Sequence, residues 1–256
     1  MATVSHVLVK VDDLRQAVND YRALGFEVRY ATDERRALHA HIWFPSGPII
    51  ELLASPRGAR LFRLPIELRM GRGAGRRMVG WATQPEGFCS LAVEVSDEAL
   101  PAVVSALGRA GVRCGRLVRW RRTRPDGEVT TFRFCYPREP DLPFLVTPYR
   151  PAQHPPEVIH PNGATAVLKV VLGVRQSDLD AVRQIVGAAP GVEFRAASRT
   201  GVLAVELAGL KGRLDRSRLH GAQFVANGID DGDRGDSQTD KSSNCPARRP
   251  VPGCPA

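Results

Sequence analysis

The chain is expected to be an α+β protein built from repeated βαβββ modules, and three features of its sequence carry that expectation. Two amphipathic stretches recur with matched ends, because Leu14 to Gly25 and Leu100 to Gly111 are both 11 residues apart. Each follows a strand-like apolar run and leads into further extended segments, the mark of an internal repeat. At 256 residues the chain also buries a substantial core without disulfide staples.

The first module is expected over residues 1–55. A strand over 4–11 precedes a helix over 13–24, whose Leu14, Ala17, Val18, Tyr21 and Leu24 share one face. Gly25 stops it in the usual C-terminal manner. Strands over 27–31, 38–44 and 49–54 follow, with the turn Pro45-Ser46-Gly47-Pro48 between the last two.

Residues 56–87 form a connector or lid holding Leu61, Phe62, Leu64, Ile66, Leu68 and Met70, suited either to covering a pocket or to covering a sheet edge. The second module is expected over 88–150. It has a strand over 89–95, then a helix from about Asp97 with Leu100, Val103, Val104 and Leu107 on one face. A hairpin over 116–122 and 129–134 turns at Pro125-Asp126-Gly127, and a strand over 142–147 closes the module.

A connector and a partial third module are expected over 151–224. Its strands fall at 166–174 and 202–207, with a helix over 178–189 between them. Being short of strands, this unit is expected either to pack on the others or to leave edges that a homodimer would cover. Residues 225–256 read as a disordered tail, poor in large apolar side chains and carrying Asp230, Asp231, Asp233, Asp236 and Asp240.

Charge and cysteine content narrow the function classes. The net charge of +9 suggests nucleic acid at first sight, yet only Lys10, Lys169, Lys211 and Lys241 are lysines among the 36 basic residues. The arginines are scattered rather than clustered, so no nucleic-acid partner is expected. Five cysteines (Cys89, Cys114, Cys135, Cys245, Cys254) show no paired spacing and read as reduced thiols. With no apolar run near the roughly 18 residues that cross a bilayer and no leader-like start, the expectation is a cytoplasmic protein with no membrane partner. The glycine string at 71–75 does not follow a strand and so is not taken for a nucleotide loop.

The strings HVLVKVDDLRQAVNDYRALGFEV (6–28), HAHIWFPSGPIIELLA (39–54), LPFLVTPYRP (142–151) and HPNGATAVLKVVLGV (160–174) resemble glyoxalase-like proteins of the vicinal-oxygen-chelate superfamily. The resemblance spans about residues 4 to 210. It implies that the modules pair into a cupped mixed sheet around a small-molecule site. It also implies a divalent metal ion, held by a His on the first strand and a Glu on the last strand of a module. His6 and Glu51 stand at those positions, and imidazole with carboxylate suits a borderline or hard ion. The ordinary reading makes His6 an edge histidine and Glu51 a solvent-facing strand residue.

The second module departs from that pattern. It offers Cys89, Ser90, Leu91 and Ala92 where a His is expected and Thr147 where a Glu is common. His41, with His39 beside it in alternation, is the candidate third ligand, which would complete a two-His-one-carboxylate set; otherwise both are strand residues packed near Trp43. Glu206, His160, and the hairpin residues Arg119, Trp120, Arg121 and Arg133 are further site candidates. No catalytic residue and no organic cofactor is singled out. Two functions stay open: a metal-assisted lyase, isomerase or dioxygenase, and a non-catalytic binding or sequestration protein of the same fold without metal.

Overall fold

The protein is described from a computed structural model, which covers residues 2–55 and 58–227. The first module contains β1 (Thr3–Val11), α1 (Leu14–Ala23), β2 (Arg29–Tyr30), β3 (His39–Ile42) and β4 (Ile49–Ala54). Asp13 caps α1 by accepting from the backbone N–H groups of Arg15 at 2.9 Å and Gln16 at 3.0 Å. The apolar face of α1 buries Leu14, Ala17, Val18 and Tyr21. Gly25 ends it at φ +82°, where a Cβ would come within 2.9 Å of Asn162, so both conformation and space demand glycine.

An insert follows, with α2 (Arg63–Met70) and α3 (Ala74–Thr83), and then the second module: β5 (Gly87–Glu94), α4 (Leu100–Arg109), β6 (Val118–Thr123), β7 (Val129–Cys135) and β8 (Phe144–Val146). The eight strands form one curled half-barrel sheet in the order β2-β3-β4-β1-β5-β8-β7-β6. The two modules are therefore mirrored in pairing: β1 lies parallel to β4, β5 lies parallel to β8, and β1 meets β5 antiparallel at the seam. Expected strands 27–31 and 38–44 shorten to two and four residues, because these positions lie at the sheet's outer end, where partners run out.

Alternation along each strand divides the core in two. Val7, Val9, Ile50, Leu52, Leu91 and Val93 point to the face covered by α1 and α4, while Leu8, Leu53, Ala92, Phe134, Phe144 and Val146 point into the concave side. Burying each large aliphatic side chain contributes about 1.5–3 kcal/mol, so a one-residue slip at the seam is strongly disfavoured.

A second sheet contains β9 (Ala166–Val174), α5 (Leu179–Val186), β10 (Val192–Ala196), β11 (Gly201–Ala208) and β12 (Phe224–Ala226), in the order β10-β9-β11-β12. Its connectivity differs from that of the modules. The strand after the helix, β10, lies parallel beside β9, whereas in each module the last strand takes that place. This unit packs on the chain's own first module, where the Tyr21 hydroxyl donates to the Leu219 carbonyl at 3.1 Å. Val225 and Ala226, expected in the tail, belong instead to β12, which pairs with β11 and covers its edge. The rest of the expected tail, from 228 on, lies outside the described residues. No helix among the described residues is long and apolar enough to cross a membrane.

Candidate functional site

Glu51 occupies the floor of the concave side, and the sheet register explains its neighbours. Leu8 is its partner on β1 and His41 its partner on β3. Residues one step of alternation away, His6 and His39, share the same face. The result is one carboxylate among three imidazoles. His6 Nε2 stands 3.3 Å from Glu51 Oε2, and His39 Nδ1 contacts Glu51 Oε1. His41 Nε2 is buried and has no hydrogen-bond partner.

Glu51 is 5% exposed, and burial alone would raise its pKa; the charge and hydrogen bond of His39, with His6 and His41 behind, more than reverse this and hold it well below the usual carboxylate range. Burial lowers His6 from 6.5, and Arg122 and His39 act in the same sense against the opposing pull of Glu51. Burial pushes His41 down to about 3, with Arg122 adding to it. At neutral pH the floor therefore holds an ionised Glu51 and neutral His6 and His41.

Above this floor opens a cavity of about 700 Å³. The first module supplies its polar side, from His6, His39 and Glu51. Its opposite wall is aromatic, from Trp120 on β6, Phe132 and Phe134 on β7, Tyr136 just after it, and Phe144 on β8. The insert adds Met70, Met78 and Trp81, so these residues wall the cup. Arg77 anchors α3 beneath that wall. Its Nη2 donates to the carbonyls of Glu139 at 3.0 Å and Leu142 at 2.9 Å, and its guanidinium lies 5.2 Å from the Tyr136 ring centre.

The register also identifies what replaces the ligands in the second module. His6 pairs with Ile49, two residues before Glu51; Ala92 pairs with Phe144, two residues before Val146. The counterparts of His6 and Glu51 are thus Ala92 and Val146, both apolar. Thr147 points the other way, and its hydroxyl accepts from the Arg133 N–H at 2.9 Å. His6 and His39 each contact Glu51 rather than facing a shared point, and among the described residues no three His, Cys, Asp or Glu side chains are arranged to hold a metal ion. The donors do not fit the two-module centre that the resemblance implies: those present lie on one side, and a Glu51 oxygen is already matched to each of the His6 and His39 rings.

The other sequence candidates divide between the cup and other places. Trp120 and Arg121 line the cup, but Arg119 and Arg133 line a separate depression of about 410 Å³ with Asp97, Glu98 and Arg150. There Arg133 Nε lies 2.7 Å and Arg150 Nε 3.0 Å from the Asp97 carboxylate. Glu206 pairs with Lys169 at 3.3 Å on the second sheet. His160 holds the connector to the first module, its Nδ1 accepting from the Glu27 N–H at 2.9 Å and its Nε2 donating to the Trp43 carbonyl at 2.8 Å. Burial raises the Cys89 thiol above its ordinary value, which suits an inert side chain. Arg122, Tyr149 and the insert's Trp81 were not singled out from sequence; the alternation of β6 beside Trp120 is the signal that points to Arg122.

Residues 4–186 match the family model of the glyoxalase-like domain. No curated protein sequence matches the chain. Among solved structures, a hypothetical protein from Staphylococcus aureus is similar, with a TM-score of 0.64 at 12% identity over 88% of this chain and 100% of that one. The Mn(II)-bound glyoxalase from Novosphingobium aromaticivorans is similar with a TM-score of 0.51 at 9% identity, over 80% of this chain and 65% of that one. At such identities the likeness is one of fold.

Proposed function

The chain belongs to the glyoxalase-like domain family of the vicinal-oxygen-chelate superfamily, and from that premise we propose that it is a small-molecule-binding protein whose cup receives a flat, largely aromatic molecule without needing a metal ion. The observation that carries this reading is the replacement of the second module's ligand positions by Ala92 and Val146 beside an aromatic wall. Rings packed at an angle or offset against such a wall contribute about 0.5–1.5 kcal/mol each beyond their burial. Glu51, ionised and buried, has an oxygen matched to each of His6 and His39 and fixes the polar floor against which the ligand lies.

Calorimetric titration with 2-naphthamide, a neutral two-ring probe, tests this. Binding is expected, weakened about tenfold by Trp120→Ala, a loss comparable to one aromatic contact. Absence of binding, or an indifferent Trp120→Ala, rejects the reading.

A second reading, a metal-assisted lyase, isomerase or dioxygenase, draws on the bare Nε2 of His41 beside Glu51 and His6. His6, Glu51 and His41 would then have to reorganise as donors. Metal analysis of the purified protein separates the two readings. A stoichiometric ion that is lost in both His6→Ala and Glu51→Ala favours the second, and a metal-free protein that binds the probe favours the first.

A further inference from the structure

Resting on the reading of the cup as an aromatic pocket, we infer that its ligand is an aromatic anion whose carboxylate, or a comparable acidic group, is taken by Arg122. The cavity is lined by Arg36, Arg121, Arg122 and Arg124. Arg124 is already matched to Asp126 at 2.7 Å and to Glu128. Arg36, Arg121 and Arg122 have no carboxylate partner among the described residues.

Arg122 is the one built into the wall. Its guanidinium lies 5.7 Å from the Phe132 ring centre and 5.3 Å from that of Tyr149. Two rings on a planar cation restrict its orientation. Its hydrogen-bond partners are neutral: Nη2 donates to Gln153 Oε1 at 3.2 Å, and the guanidinium also bonds the Tyr149 hydroxyl. Its Nε is buried with no partner, and so is the Gln153 Nε2 group beside it. Trp81 Nε1, also lining the cavity, is a further buried donor without an acceptor. A half-buried cation with unused donors costs free energy unless an acceptor arrives.

Glu51 cannot be that acceptor, since both of its oxygens face histidine nitrogens. The unmatched buried atoms of the cavity-lining residues, Arg122 Nε and Trp81 Nε1, are both donors, so the molecule that completes them brings acceptor oxygens and negative charge. Arg122 presents a fork suited to two oxygens of one carboxylate. With Trp120, Phe132 and Phe134 next to it, the acidic group and a flat apolar body are recognised side by side. Arg77 does not compete for this role: although its Nε is also without a partner, it is fully buried, its Nη2 donates to two backbone carbonyls and its Nη1 to Ser90 Oγ at 3.4 Å, and it is not part of the cavity lining.

The test compares 2-naphthoate with 2-naphthamide, which share a body and differ in charge, by calorimetric titration of the full chain. The expected result is naphthoate at least tenfold tighter than naphthamide in the native protein. Arg122→Gln brings that ratio close to one and leaves naphthamide within twofold, which also shows that the cup still folds. Arg122→Lys, keeping the charge and losing the fork, retains part of the preference. Equal binding of the two probes to the native protein, or an Arg122→Gln that weakens both alike, overturns the assignment. If neither probe binds, the aromatic-pocket reading itself fails, a result distinct from failure at Arg122 alone.

Discussion

Ala92 lies directly opposite His6 across the antiparallel pairing that joins the two modules. A methyl group thus faces an imidazole at the position where the fold would allow two matching donors. The same asymmetry continues outward, with Glu51 answered by Val146 and the His39/His41 strand answered by Phe132 and Phe134. The cup carries its carboxylate and imidazoles on one side, and rings interleaved with the arginines of β6 on the other.

Replacing the floor carboxylate tests whether it organises the histidines. Glu51→Gln removes the charge that His6 and His39 face while keeping the shape. The expected loss is about 1–3 kcal/mol of unfolding free energy, the cost of leaving buried polar groups mismatched. Urea unfolding measures it, and a change below about 0.5 kcal/mol, typical of surface substitutions, contradicts the arrangement.

The connector gives a pH dependence of known sign. Burial lowers His160 below 6.5, although the Trp43 carbonyl and Glu27 pull the other way. Below 6.5 the unfolded chain therefore takes up a proton that the folded protein resists, so stability falls as pH falls through that range. Protonation would also remove the acceptor at Nδ1 that holds the Glu27 N–H. His160→Gln is expected to reduce the slope of the stability curve between pH 6.5 and 5 by up to about 1.4 kcal/mol per pH unit for one proton, leaving the slope of the same sign that His6 and His41 contribute. An unchanged slope rejects this account.

Gly73 permits the insert to reach the second module. It sits at φ +96°, and a Cβ there would stand 2.5 Å from Arg138 Cα. Gly73→Ala is expected to cost more than about 1 kcal/mol and to loosen α2 and α3, seen as faster proteolytic cleavage within 58–83. Native-like melting and cleavage of that variant would show that the close approach is not needed.

Arg77 is the insert's anchor, and its loss leaves the Leu142 carbonyl without this donor and the Glu139 carbonyl with only the Leu142 N–H at 3.3 Å. Arg77→Met keeps most of the apolar stem and is expected to lower stability by about 2–4 kcal/mol, consistent with an unsatisfied buried group plus lost ring contacts. Thermal unfolding decides it, and a neutral result would reduce Arg77 to filler.

The helices and the strands on either side were legible because their signals are local: the 3.6-residue faces of 14–24 and 100–107 and the glycines after them are read from neighbouring residues. Pairing partners were not legible, since nothing local in β5 says that Ala92 will meet His6. For the same reason the counterpart of Glu51 was placed at Thr147, one residue from Val146, and a one-residue step reverses the face. Arg122 is not distinguishable in the sequence because one arginine among several on a basic hairpin looks solvated until the Phe132 and Tyr149 rings close around it. The third unit's helix was readable, whereas β12 was not, being a three-residue strand held in place by β11 rather than by its own composition.

The central claim is that the cup recognises its ligand through rings and side-chain charge, with no ion between. Its most direct test is the dissociation constant of 2-naphthoate for the protein before and after exhaustive treatment with a metal chelator, with metal content determined on both samples. The account predicts the same constant within twofold. Loss of binding in the stripped protein, restored by added Mn(II), would contradict it.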